Sequence, residues 1–180
     1  MATWRVDLLP YFLPDRDDVI QVQNYDREKT WDNPANLAAA QQKMKIYSCP
    51  ANRTPQDAQQ RWYTAYAFLT GPGTAFPEAG PLTLDDITDG TSNTLLIVEA
   101  CGRNIVWTEP RDVNVSRETF KINAAGDQPG TSAGILSSNH EGCAQAAFAD
   151  GSVRLLSAEM DASVLRTLTT AAEGDEIGEY

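Results

Sequence analysis

The chain has 180 residues, 42% of them hydrophobic and 22% charged, with a formal net charge of −11. That length buries a core without metal or disulfide staples, and it reads as one domain over 1–180. The excess of acid repels a phosphate backbone and argues against nucleic-acid partners, and no stretch reaches the ~20 apolar residues of a membrane helix.

Taken in chain order, "WRVDLLPYFL" (4–13) is apolar, with Pro10 interrupting any long helix. A polar, acidic stretch follows. Asp32 is the expected cap of a short helix through "ANLAAAQQKM", with Pro34 in its first turn. "KIYSCP" (45–50) reads as a strand stopped by Pro50, and "ANRTPQDAQQR" as loop. "WYTAYAFLT" (62–70) has strand composition, and the Gly- and Pro-rich 71–81 is irregular loop. A turn at Asp89-Gly90 precedes the best buried-strand candidate, Thr94 to Ala100, and "NIVWTEP" (104–110) reads as another strand. Residues 111–134 carry no clear pattern. Near the end, Asp161 caps a helix with Val164, Leu165 and Leu168 on one face, and the tail "EGDEIGEY" is acidic and expected to be mobile. Strands do not alternate regularly with helices. The expected class is therefore α+β: an antiparallel sheet with long decorated loops and short helices.

"NHEGCAQAAFADGSVRLLS" (139–157) holds His140, the single histidine of the chain. Asp150-Gly151 reads as a two-residue hairpin turn, which sets Phe148 opposite Val153 and Ala146 opposite Leu155 on one apolar face. At about 3.3 Å per residue, a straight strand holds His140 and Asp150 roughly 30 Å apart. His140, Asp150 and Gly151 are thus expected to be structural, with no shared chemistry.

Three cysteines, Cys49, Cys101 and Cys143, lie at wide spacings without a C-x-x-C pair, which gives no support for zinc. Cys101 ends one expected strand and Cys143 opens the hairpin. If those strands are neighbours the two can form a disulfide, with Cys49 left over; otherwise all three are thiols.

Catalytic templates fare poorly. "GTSAG" (130–134) matches G-x-S-x-G with Ser132 as nucleophile and His140 as base, but that motif needs a strand before the serine and a helix after it. Residues three apart on a strand face opposite ways, so Cys143 and His140 make no dyad. "TGPG" (70–73) lacks the Gly-Lys-Ser/Thr of a phosphate loop. "DDITDG" (85–90) places Ile87 where a calcium ligand belongs, which leaves only an isolated site among Asp85, Asp86 and Asp89 to consider. Trp31, Trp62 and Trp107 are candidates for stacking on sugars, against the commoner role of tryptophan as an anchor in cores and interfaces. No cofactor and no metal is implied.

Several motifs together carry a resemblance: "TWRVDLLPY" (3–11), "WDNPAN" (31–36), "IYSCP" (46–50), "LTGPGTAFP" (69–77), "DITDGTSNTLLIVEA" (86–100), "VWTEPRDV" (106–113) and "FADGSVRLLS" (148–157). With His140, nine residues and then Asp150-Gly151, the chain resembles the bacterial domain-of-unknown-function 1559 family, described as PulG-like or pseudopilin-like. The resemblance implies a pilin-like head, extracytoplasmic and bound to the membrane only through an N-terminal helix that precedes "WRV" in relatives and is missing here. It implies protein partners, namely other envelope or pseudopilin-like proteins. The expected function is a non-enzymatic head acting in envelope-associated secretion or assembly. A solute- or glycan-binding module is the alternative, and a hydrolase using Ser132 stands behind both.

Overall fold

A computed structural model of the chain describes residues 3–12, 25–52 and 55–174. The described residues fall into two compact units, Met1–Thr64 with Asn104–Arg111, and Ala65–Arg103 with Asp112–Tyr180. The expectation of a mobile acidic tail lies outside the described residues beyond Gly174. So does much of the polar stretch after residue 12. Among the described residues no helix is long and apolar enough to cross a membrane.

In the first unit, helix α1 (Trp4–Phe12) buries Arg5, Val6 and Leu9. Pro10 lacks an amide for the next helical bond, and the helix ends two residues later. Val6 and Leu9, one turn apart, join Ala39, Met44, Tyr47 and Trp107 in one apolar cluster. Arg5 is fully buried; its guanidinium donates to Thr3 Oγ1 (3.0 Å) and to the carbonyls of Glu109 (3.3 Å) and Arg111 (3.1 Å). The Tyr47 hydroxyl donates to the Arg5 carbonyl at 2.8 Å, and burial pushes its phenol up to about 12.

Three expectations for this unit need correction. The helix cap is Asn33, not Asp32: its side chain accepts from the Ala35 amide, Pro34 opens a 3-10 turn, and α2 covers only Leu37–Ala40. "KIYSCP" is not a strand but a 3-10 turn over Lys45–Tyr47, which brings Met44 and Tyr47 to one side, three apart. "NIVWTEP" makes a single bridge, Tyr63 to Val106. Its apolar residues are buried as core filling, and Trp107 donates its indole N–H to the Gln42 carbonyl.

The second unit carries all seven strands of the described residues. A five-stranded sheet runs in the order β3 (Val113–Asn114), β1 (Tyr66–Thr70), β2 (Leu95–Glu99), β6 (Cys143–Phe148), β7 (Val153–Ser157). Its pairings are antiparallel except β1 with β3. A second, parallel pair is β4 (Thr119–Ile122) with β5 (Gly134–Leu136). Helix α3 (Ala162–Thr167) is capped by Asp161, whose carboxylate accepts from the Ser163 amide at 2.7 Å. Leu165 and Leu168 are fully buried, as the sequence pattern requires. The class is α+β with a mostly antiparallel sheet.

The hairpin differs from expectation by one residue. Ala147 faces Val153, Ala146 faces Arg154 and Ala144 faces Leu156. The Gly151 amide donates to the Phe148 carbonyl, and the Phe148 amide to the Ser152 carbonyl. The loop therefore holds three residues, Ala149, Asp150 and Gly151, with Gly151 at φ +82°. Because side chains alternate, the one-residue slip turns all of β7 over. Leu156 becomes buried, Arg154 lies over the Phe148 ring at 4.4 Å, and Val153 and Leu155 face outward, 66% and 65% exposed.

Candidate functional site

His140 lies outside β6, in a bend before the Glu141-Gly142 turn, and its residue is exposed. Its amide donates to Ser138 Oγ at 3.1 Å. The His140 ring and the buried Glu99 carboxylate approach within 4.8 Å of each other. Glu99 Oε2 also accepts the Gln145 amide at 2.7 Å. Asp150 sits at the other end of β6 in the hairpin loop, where it accepts the Ser152 amide at 2.8 Å. That hydrogen bonding holds its carboxyl below the usual range. The whole of β6 separates the two residues.

Ser132 lines a cleft of about 180 Å³ with Cys101, Asn123, Thr131, Ser137 and Ser138. Its hydroxyl donates to the Ala124 carbonyl at 2.9 Å and accepts from the Gly134 amide at 3.2 Å. A loop precedes it and strand β5 follows, the reverse of the strand–turn–helix a nucleophile elbow requires. The hydroxyl knits its own loop.

The sulfurs of Cys101 and Cys143 are not bonded to each other. β2 does neighbour β6, but their pairing runs only to Val98 with Ala146. Beyond it the Cys101 amide turns to the Ser137 carbonyl at 2.8 Å, which draws the chain away from Cys143.

Two of the three aspartates considered for an isolated calcium site, Asp86 and Asp89, are committed to protein groups, while Asp85 is exposed. Asp86 closes a capping box with Thr83, whose hydrogen bonds hold its carboxyl below the usual range. The buried Asp89 carboxylate accepts the amides of Glu173 (2.9 Å) and Gly174 (2.8 Å), clasping the C-terminal segment. Nothing in the sequence marks a clasp between residues more than eighty apart.

The tryptophans are engaged as well. Trp107 is buried against Tyr47. Arg61 lies 5.1 Å over the Trp31 ring and Lys43 4.9 Å over the Trp62 ring. Each of these half-buried indoles thus has one face covered by a cation.

What the sequence reading missed is the outer face of β7. As the terminal strand of its sheet it presents Val153 and Leu155 to solvent. The alternation of an antiparallel ladder leaves the backbone groups of these two residues on the open side, since Ser152, Arg154 and Leu156 bond back to β6. An exposed apolar edge of this kind is a template for a further strand.

The fold defines the chain as an α+β protein whose most distinctive open feature is a sheet edge. A family model described as a protein of unknown function (DUF1559) matches residues 2–163, and the chain belongs to that family. None of the curated proteins and no solved structure matches.

Proposed function

We infer that the chain is the non-enzymatic head of a pseudopilin-like envelope protein, placed outside the cytoplasm and working in secretion or assembly through protein contacts. The observation that carries this reading is the β7 edge with Val153 and Leu155 outward. Natural sheets usually guard such edges with lysine, proline or a covering segment. The simplest occupant is a second copy or a pseudopilin-like relative, because two antiparallel β7 strands match residue for residue about a two-fold axis. Chains of net charge −11 repel one another, so salt should promote the contact.

Sedimentation velocity tests this. The chain is expected to self-associate reversibly, more strongly as sodium chloride rises from about 0.05 to 0.5 M, within the range where screening shortens markedly. Leu155→Lys should abolish association, although it lowers the repulsion. A chain that stays monomeric at every concentration and salt, or a Leu155→Lys variant that associates like the parent, refutes the edge contact.

A further inference from the structure

A second cleft in the same unit, of about 200 Å³, lies between β4, the segment after β3 and the end of α3. Its lining includes Val115, Phe120, Arg166, Thr169, Thr170 and Glu173. The Arg166 guanidinium stacks on Phe120, 3.9 Å from the ring centroid. That contact holds the exposed guanidinium at the cleft, and none of its N–H groups is spent on a described hydrogen bond. Among the described residues no carboxylate forms an ion pair with Arg166, in a chain where acids outnumber bases 25 to 14.

Glu173 lines the same cleft without reaching Arg166. Its position is set by two features. Its amide is held by the buried Asp89 carboxylate, and the Ala171 amide donates to the Gly73 carbonyl at 2.8 Å. The Glu173 carboxylate rests on the bare face of Gly73: a Cβ there would come within 2.9 Å of Glu173 Oε1. A side chain at Gly73, which has φ +78°, would be strained and would push the carboxylate aside.

Two opposite charges are therefore held on one small cleft without neutralising each other. An anion alone would meet Glu173, and a cation alone would meet Arg166. A neutral ligand would leave both charges unused. We propose that the cleft binds a small zwitterion of the α-amino-acid class, with its carboxylate on Arg166, its ammonium on Glu173 and an aliphatic side chain against Val115 and Phe120. The volume lies below the roughly 300–1,000 Å³ of sites for drug-sized ligands and fits a molecule of this size. The Thr169 hydroxyl, at the same cleft, donates to the Arg166 carbonyl, and its oxygen can also accept a hydrogen bond. This site is separate from the β7 edge and does not depend on the assembly reading.

Calorimetry and amide chemical shifts on the whole chain test it, with L-alanine, L-valine and L-leucine as probes. Saturable binding of at least one is expected, with shifts centred on Phe120, Arg166 and Glu173. N-acetyl-L-valine, which lacks the cation, and L-valinamide, which lacks the anion, should each bind at least tenfold more weakly than L-valine. Arg166→Gln should weaken L-valine at least tenfold with an unchanged circular dichroism spectrum. Glu173→Gln should weaken L-valine to a similar degree, yet leave N-acetyl-L-valine no weaker than with the parent chain. No saturable binding of any probe, equal binding of all three valine derivatives, or unchanged binding by Arg166→Gln overturns the proposal.

Discussion

Asp89→Ala should unfasten the C-terminal segment. The carboxylate accepts two backbone amides, at 2.9 and 2.8 Å, from a buried position. Hydrogen bonds to a charged group contribute about 1.5–3 kcal/mol each. Glu173 and Gly174 are exposed, so water would take up their released amides and recover part of that. The net cost is therefore about 2–4 kcal/mol, below the simple sum of the two bonds. For a chain of this size that corresponds to a fall in Tm of roughly 5–15 °C. The Asp89 amide also donates to the Ala171 carbonyl, but the substitution leaves that bond in place. Thermal unfolding by circular dichroism gives the global number. Hydrogen exchange gives the local one: the Ala171 amide, bonded to Gly73, should lose protection before the strands do. Asp85→Ala, at an exposed neighbour, is the control and should stay within about 0.5 kcal/mol of the parent. An Asp89→Ala variant as stable as Asp85→Ala, with the Ala171 amide still protected, would refute the clasp.

Because Asp86 and Asp89 are spent on protein groups, millimolar calcium should leave the Tm of the parent chain unchanged; a rise of several degrees would restore the aspartate cluster as a metal site. Thiol titration of the unreduced, denatured chain should count three thiols, and a count of one would mean that a disulfide forms. Tyr47 makes stability depend on alkaline pH. Its folded pKa, about 12, exceeds the ordinary value of 10.0, so its contribution is complete below pH 10 and is lost as pH rises through 12. The loss attributable to this group is roughly 2–3 kcal/mol, measured as the difference in alkaline unfolding slope between the parent chain and Tyr47→Phe. Equal slopes would show that the Tyr47 phenol ionises as it does in the unfolded chain.

Periodicity and caps told the most where one face of an element meets the core. The strand "LLIVE", the buried Leu165 and Leu168, and the Asp161 cap follow from local rules that tertiary structure did not override. "KIYSCP" and "NIVWTEP" misled because a short apolar run looks the same whether it is a strand or loop filling a core. Their burial is decided by partners distant in sequence: Tyr47 meets Arg5, and Trp107 meets Gln42 and the cluster of Val6, Leu9 and Met44. The strands β3, β4 and β5 were invisible for a related reason. They span only two to four residues in a polar, Gly-rich region, and their partners are parallel or remote. That Asp150-Gly151 turns a hairpin was legible, whereas His140, expected on the same strand, lies in a bend before it. The cleft of Arg166 and Glu173 was not, because it depends on Asp89 and Gly73 meeting the C-terminal segment.

The hairpin gives the sharpest test of how the register is set. A two-residue turn would need positive φ at both Asp150 and Gly151. Only Gly151 has it, and Asp150 is absent from the non-glycine residues with positive φ. Space is not the constraint, since a Cβ at Gly151 would meet nothing within 4 Å. The cost of Gly151→Val is thus conformational, roughly 1–2 kcal/mol for a branched residue forced into left-handed space. Gly151→Asn should cost clearly less, because asparagine visits that region with local hydrogen bonds. Asp150→Val forfeits the bond to the Ser152 amide but meets no positive φ. Denaturant unfolding should therefore rank Gly151→Val as the least stable, with Gly151→Asn nearest the parent. If Gly151→Asn proved as damaging as Gly151→Val, the strain would not lie in φ. If Asp150→Val were the most damaging, the bond to the Ser152 amide, and not the left-handed backbone of Gly151, would be the stronger constraint on the turn.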